Sequence, residues 1–246
     1  MPARHHRTVD RTVAIIEQAA RSRDGVTLAE LAKTLSAPKS SVQELTNGLL
    51  ATGYLSEREG RFHLGPATFL LSLHTAGLPL DRVRHDELER AQQRLGRPLF
   101  AGTRVGDDHV FFDQVGEEMV TDFVSANHPR RPLLITATGK IILAHLKSAE
   151  RNEFLGRMQR DQPEVVEAFL AELPGIGATS LAFNRSATLP GRYAVATPLI
   201  DPDGTFLAAV CTVGGPEIAD RLDEVGQELL DAIRQWSFTR PARADR

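Results

Sequence analysis

At 246 residues, with 41% hydrophobic and 25% charged side chains, the chain has the composition of a soluble globular protein and room for two ordinary domains. No apolar run approaches the ~20 residues that cross a bilayer, so no membrane association is expected. The net charge of −3 is uneven: residues 1–65 carry nine Lys/Arg against seven Asp/Glu, and the remainder twenty against twenty-five. A mildly basic head on an acidic body has the sign a nucleic-acid binder needs, because a locally positive face displaces counterions from phosphates. The polar start Met1-Pro2-Ala3-Arg4-His5-His6-Arg7 is not followed by an apolar secretory core, so a cytoplasmic location is expected. With Cys211 as the sole cysteine, neither an internal disulfide nor a thiolate metal cluster can form, and no cofactor or metal is expected.

In chain order, Val9, Val13, Ile16 and Ala20 predict a first helix that ends near Asp24-Gly25. Thr27-Leu28-Ala29-Glu30 reads as a capping box opening a second helix with the stripe Leu28, Leu31, Ala32 and Leu35, which Ser36-Ala37-Pro38 stops. Ser41-Val42-Gln43-Glu44 repeats the box pattern at a third helix, with Val42, Leu45 and Leu49 on one face and Ser40, Gln43, Glu44 and Asn47 on the other. Two short helices with a tight turn and a polar outer face suit a helix-turn-helix, and equally a plain helical hairpin. Tyr54-Leu55-Ser56-Glu57 and Arg61-Phe62-His63-Leu64 then flank Arg58-Glu59-Gly60, a three-residue hairpin signal at the place of a wing. Leu70, Leu71, Leu73, His74 and Leu78 form an apolar helical face, for a partner or for the chain's own core. Further on, 86–95, 138–147 and 218–238 read as helices, and 98–105, 109–115, 192–200 and 206–213 as strands.

The sequence resembles the IclR family of bacterial transcriptional regulators. The resemblance is carried by Val9-Asp10-Arg11-Thr12-Val13-Ala14-Ile15-Ile16, Leu28-Ala29-Glu30-Leu31-Ala32, Pro38-Lys39-Ser40-Ser41-Val42, Thr52-Gly53-Tyr54-Leu55 and Arg61-Phe62-His63-Leu64-Gly65-Pro66. It continues through Arg131-Pro132-Leu133, Thr136-Ala137-Thr138-Gly139-Lys140 and Ala196-Thr197-Pro198-Leu199-Ile200-Asp201. It implies an α+β chain: a winged helix-turn-helix (1–65), a linker helix used in dimerisation (66–82), a GAF-like α/β effector-binding domain (83–238) and a flexible tail (239–246). The implied partners are double-stranded operator DNA, a small-molecule effector such as an organic or aromatic acid, and a second copy, as a homodimer or dimer of dimers.

On the polar face and the matching motif, Lys39, Ser40, Ser41, Gln43 and Asn47 are expected at the major groove and Arg61 on the wing. Arg4, Arg7 and Arg11 are expected near phosphates or the minor groove. Gln43-Glu44 departs from the family, where an arginine or another polar residue commonly follows the Ser-Val pair. Glu44 could repel phosphate, accept from a cytosine amino group, or serve as the helix cap and never touch DNA. The resemblance implies an effector beside Thr136, Ala137 and Thr138 and the inward faces of the late strands. Alternation pairs Thr197 with Leu199 and Cys211 with Val213, Met119 and Phe123 supply a wall, and Arg192 is the expected carboxylate partner. The same lining also describes an ordinary α/β core.

No catalytic constellation emerges, and no enzymatic activity is expected. Asp107-Asp108-His109 has metal-ligand types on a turn that suits a solvated hairpin, Gly175-Ile176-Gly177 and Gly214-Gly215 read as loops, and Cys211 lacks an adjacent base. The rival to a regulator is a GAF-like small-molecule-binding or enzymatic protein whose N-terminal helices mediate protein contacts.

Overall fold

The computed structural model describes residues 6–74, 79–117 and 129–238. The chain divides into two compact units, parted between residues 77 and 78. The apolar helix that follows the hairpin therefore belongs to the first unit, and the 3-10 turn Pro79–Arg82 to the second.

In the first unit, α1 (Arg7–Arg21), α2 (Leu28–Thr34) and α3 (Lys39–Ala51) pack with the hairpin β1 (Leu55–Arg58) and β2 (Arg61–Leu64) around Ile15, Leu31, Val42, Leu49, Leu55 and Phe62. The expected α1 stripe is rotated: Ile15 and Ala19 are buried, whereas Val9 and Val13 are exposed. The α2 capping box forms, with the Thr27 amide donating to Glu30 Oε2 at 2.7 Å and the Glu30 amide to Thr27 Oγ1 at 3.2 Å. The Thr27 amide, and after it the Thr27 hydroxyl donating to the same Oε2 at 2.8 Å, hold the Glu30 carboxyl below its ordinary pKa. The second box does not form, because α3 starts at Lys39 on Pro38, whose fixed φ of −57° suits a helix start. Ser41 is already in the first turn.

Arg58 pairs with Arg61, which leaves a two-residue loop in place of the expected three. Glu59 (φ 52°) and Gly60 (φ 73°) both adopt the left-handed conformation, as a type I′ turn requires. Helix α4 (Pro66–His74) follows, with Phe69, Leu70, Leu71 and Leu73 all at least half exposed. Leu78 and residues 239–246 lie outside the described residues.

The second unit is built on an antiparallel sheet. Among the described residues its strand order is β5-β4-β3-β8-β7-β6, from β3 (Leu99–Val105), β4 (Asp108–Val115), β5 (Arg131–Pro132), β6 (Ala182–Arg185), β7 (Tyr193–Ile200) and β8 (Phe206–Gly214). One face packs on α5 (His85–Leu95) and α9 (Leu222–Arg234) through Leu88, Leu99, Val195, Leu199, Val210 and Val225. The other packs on α6 (Ala137–His145), α7 (Ser148–Met158) and α8 (Pro163–Thr179) through Phe100, Ile141, Phe154, Phe169, Ala196 and Ala209.

Helices α7 and α8 and strand β6 were not foreseen, and Gly175-Ile176-Gly177, expected as a loop, is helical within α8. Pro174 and two glycines argue against a helix locally, but Val166, Phe169 and Ile176 are buried along it, and tertiary burial overrides a propensity deficit of about 1 kcal/mol per glycine. The predicted 218–238 helix begins instead as the 3-10 turn Pro216–Arg221.

Helix α6 is seated by two devices. Lys140, nearly buried, donates from Nζ to both Glu172 oxygens (2.8 and 2.7 Å) and to the Phe183 carbonyl (3.0 Å), which joins α6 to α8 and β6. At Gly139 a β-carbon would collide with the backbone of Leu133. Gly139→Ala is accordingly expected to lower the unfolding free energy by about 1–3 kcal/mol, despite alanine's better helix propensity. Urea denaturation gives the sign, and a stabilised variant would show that the approach is not tight.

Candidate functional site

The outward face of α3 is polar by position: Val42, Thr46 and Leu49 turn inward, which leaves Lys39, Ser40 and Asn47 exposed and Ser41 and Gln43 half-buried. Gln43 Nε2 donates to Asn47 Oδ1 at 2.8 Å across one turn, so these amides form one unit. Glu44 is exposed in the helix interior, well past the N-cap, and cannot be the helix cap. Arg61 is half-buried on β2, donates to the Gly25 carbonyl at 3.1 Å and lies 3.8 Å from Glu30. The cation at the hairpin tip is Arg58, exposed beside the turn and missed because the longer loop had absorbed it. Arg7 is exposed and Arg11 half-buried on α1, and Arg4 lies outside the described residues.

A cavity of about 80 Å³ opens between the sheet and the start of α6. That is several times the ~10–15 Å³ one water needs. Its lining includes His109 and Phe111 from β4, Arg131 from β5, Thr136, Ala137 and Thr138 at the N-terminus of α6, and Cys211 and Val213 from β8. Asn184 and the stretch Arg192, Tyr193 and Ala194 close the far side. No Asp or Glu is among the described lining residues, and two arginines are.

Thr136 organises the cavity's polar wall. As N-cap of α6 its Oγ1 receives the Gly139 amide at 3.1 Å; it also lies 2.9 Å from the Pro132 carbonyl and 2.9 Å from His109 Nε2. His109 is fully buried, its ring edge-on to Phe111, and its Nδ1 has no hydrogen-bond partner among the described residues. Burial foremost, and then the positive field of Arg131, push its pKa down to about 3. The ring is neutral throughout the physiological range. Burial also pushes the Cys211 thiol up to about 12, so it packs as a neutral group against Thr138. Asn184 is occupied by its own loop, donating to Thr188 Oγ1 at 2.6 Å and accepting from the Ala187 amide at 2.8 Å.

The cavity thus brings together Thr136, Ala137, Thr138, Arg192, Cys211 and Val213 from the sequence expectation. Thr197 and Leu199 are turned away. Ala196 is the residue opposite Cys211, so 194 and 196 share the cavity face of β7, and Leu199 packs in the cluster on the α9 side. Met119 and Phe123 lie outside the described residues. His109, Phe111 and Arg131 were not foreseen as lining; the alternation of β4 after the Gly106-Asp107 turn carried the signal for the first two. No cluster of three or more potential metal ligands occurs among the described residues.

Residues 8–59 match the IclR helix-turn-helix domain, and residues 74–239 match the bacterial transcriptional regulator IclR C-terminal domain. The "Probable transcriptional regulator SauR" of Cupriavidus necator is 26% identical over 208 residues, covering 81% of this chain and 82% of that protein. Among solved structures, an IclR family transcriptional regulator from Brucella abortus superposes with a TM-score of 0.65 at 17% identity, over 94% of this chain and 91% of its own. An IclR homologue from Microbacterium hydrocarbonoxydans, complexed with 4-hydroxybenzoate, does so with a TM-score of 0.64 at 18% identity, over 92% and 99%.

His109 makes stability depend on acidity. In the unfolded chain the ring takes a proton below about pH 6.5, whereas the folded chain refuses it down to about pH 3. The unfolded state therefore binds more protons in that window, and stability falls as pH drops through it, by at most about 1.4 kcal/mol per pH unit. Between pH 6.5 and 5, above most carboxylate titration, His109→Gln is expected to flatten the slope of unfolding free energy against pH. An unchanged slope would assign it to other groups.

Proposed function

The chain belongs to the IclR family of bacterial transcriptional regulators, and on that premise we propose which of its residues meet DNA, what kind of molecule its cavity takes and how its copies pair. The observation that carries the proposal is the cavity: two guanidinium groups and a helix N-terminus on an otherwise largely apolar wall, with no carboxylate among its described residues. That composition favours a small organic acid with an apolar body, because an arginine binds a carboxylate bidentately and the helix dipole adds to it. The 4-hydroxybenzoate held by the Microbacterium homologue supports the same class. Arg192 is the principal anchor and Arg131 the second cation.

The operator is read by Lys39, Ser40, Ser41, Gln43 and Asn47 on α3, with Arg58 on the wing and Arg7 and Arg11 toward phosphates. Arg61 supports the wing from behind, as its bond to Gly25 suggests. The exposed Phe69, Leu70, Leu71 and Leu73 favour a homodimer through α4, since contiguous apolar side chains at such exposure mark an interaction surface. The regulator acts in the cytoplasm and catalyses no reaction of its own: the cavity's thiol and imidazole are both held neutral, and no Asp or Glu stands among its described lining residues.

Binding to the chain's own upstream intergenic DNA, followed by fluorescence anisotropy against salt, tests the first part. Lys39→Ala is expected to weaken binding to every sequence and reduce the salt slope by about 1. Gln43→Ala should change preference among base pairs by roughly 1–3 kcal/mol, because an amide at a base edge discriminates whereas a phosphate contact does not. An unaltered slope in the first variant removes Lys39 from the interface. Thr138→Phe, which fills the cavity, is expected to abolish the response to organic acids while DNA binding persists. Leu70→Asp should shift sedimentation toward the monomer, and an unmoved distribution would place the interface elsewhere.

A further inference from the structure

We infer that α3 reads an A·T base pair, with Gln43 and Asn47 engaging adenine as one unit and Glu44 turning guanine away. The inference rests on the reading of α3 as the helix that enters the major groove and adds the base that it selects.

Burial of Val42, Thr46 and Leu49 fixes the roll of α3, so Gln43, Glu44 and Asn47, at positions i, i+1 and i+4, share the outward face. Glu44 and Asn47 are exposed and Gln43 is half-buried. Gln43 Nε2 donates to Asn47 Oδ1 at 2.8 Å. That bond uses one amide hydrogen of Gln43 and one acceptor position of Asn47, and leaves Gln43 Oε1 to accept and Asn47 Nδ2 to donate. If both amides turn over, the bond runs the other way and the pair still offers one acceptor and one donor.

In the major groove only adenine presents an amino donor and an N7 acceptor on one base. Guanine presents two acceptors, cytosine an amino group alone, and thymine a carbonyl and a methyl. An acceptor joined to a donor therefore matches adenine. Guanine can still take the second hydrogen of Gln43 Nε2 together with Asn47 Nδ2, and Glu44 decides against it. Its carboxylate only accepts, so at the base edge it favours the amino group of adenine and opposes the O6 of guanine. Helix α3 holds no arginine, the commonest bidentate partner of guanine, and its one lysine, Lys39, is its first residue. Gly48 extends no side chain beside Asn47. Among the described residues no atom lies within 4 Å of where its β-carbon would stand, which leaves room for the floor of the groove.

The test selects sites for the full-length protein from a random-sequence duplex library and follows the enriched duplex by fluorescence anisotropy. At least one A·T pair is expected at which replacement by G·C weakens binding about tenfold, and at which 7-deazaadenine, lacking N7, does so comparably. Gln43→Ala and Asn47→Ala should each remove that sensitivity, and the double variant should remove no more than either alone. Glu44→Gln should bring A·T and G·C toward equal affinity at that position while the effect of 7-deazaadenine persists. Lys39→Ala should weaken both duplexes alike. A G·C pair at the position governed by Gln43 and Asn47 overturns the inference, as do additive effects of the two variants or a preference that none of the three alters. A salt slope lowered in Lys39→Ala would then still keep α3 at the DNA. If no sequence is enriched, the reading of α3 falls and this inference with it.

Discussion

The second unit depends on how the Thr136 hydroxyl is shared. It caps α6, takes up a backbone carbonyl of the short strand β5 and meets the buried imidazole of β4, so one oxygen fixes three elements that diverge immediately afterwards. Gly139 lets the first turn of α6 lie against the backbone of Leu133, and Lys140 ties the same turn to α8 and β6. An isolated helix of this length would be marginal. Here it is over-determined at its N-terminus, where the cavity lies, and that rigidity keeps the polar wall in one arrangement.

The cavity exists because the strands around it present small residues toward α6. Ala194, Ala196 and Ala209 share that face, and Gly102 has space only for hydrogen against Thr138 and Phe111. The opposite face, under α5 and α9, is filled by Leu88, Leu199, Val210, Val225 and Leu229. One side of the sheet is packed to close and the other leaves room at its edge. Both are apolar, which is why a cavity there is compatible with a stable core.

What was legible in the sequence follows this division. The Thr27–Glu30 box needs only residues within one turn of each other, and it formed as read. The Ser41–Glu44 box has the same letters but formed nothing, because Pro38 had already started the helix and the pattern carries no information on where its first turn lies. For β7, alternation correctly groups Thr197 with Leu199, but period two gives two faces without saying which one meets α6; the register opposite Cys211 decides it. Helix α8 was hidden by Pro174 and its glycines, since the burial that overrides them belongs to partners far away in the chain. In the sequence His109 stands beside two aspartates on a turn, like a metal ligand, whereas its neighbours in space are Thr136 and Phe111.

Two causes keep His109 neutral, and they differ in weight. Arg131 both attracts an anion and opposes a proton on His109, so a bound carboxylate that offsets its charge weakens the second effect. Were Arg131 the main reason for the ring's neutrality, binding an acid would protonate the imidazole and turn its acceptor into a donor. Burial is the larger cause, so the ring's neutrality does not hang on Arg131. The imidazole is therefore held neutral chiefly by its burial, beside the hydroxyl of Thr136.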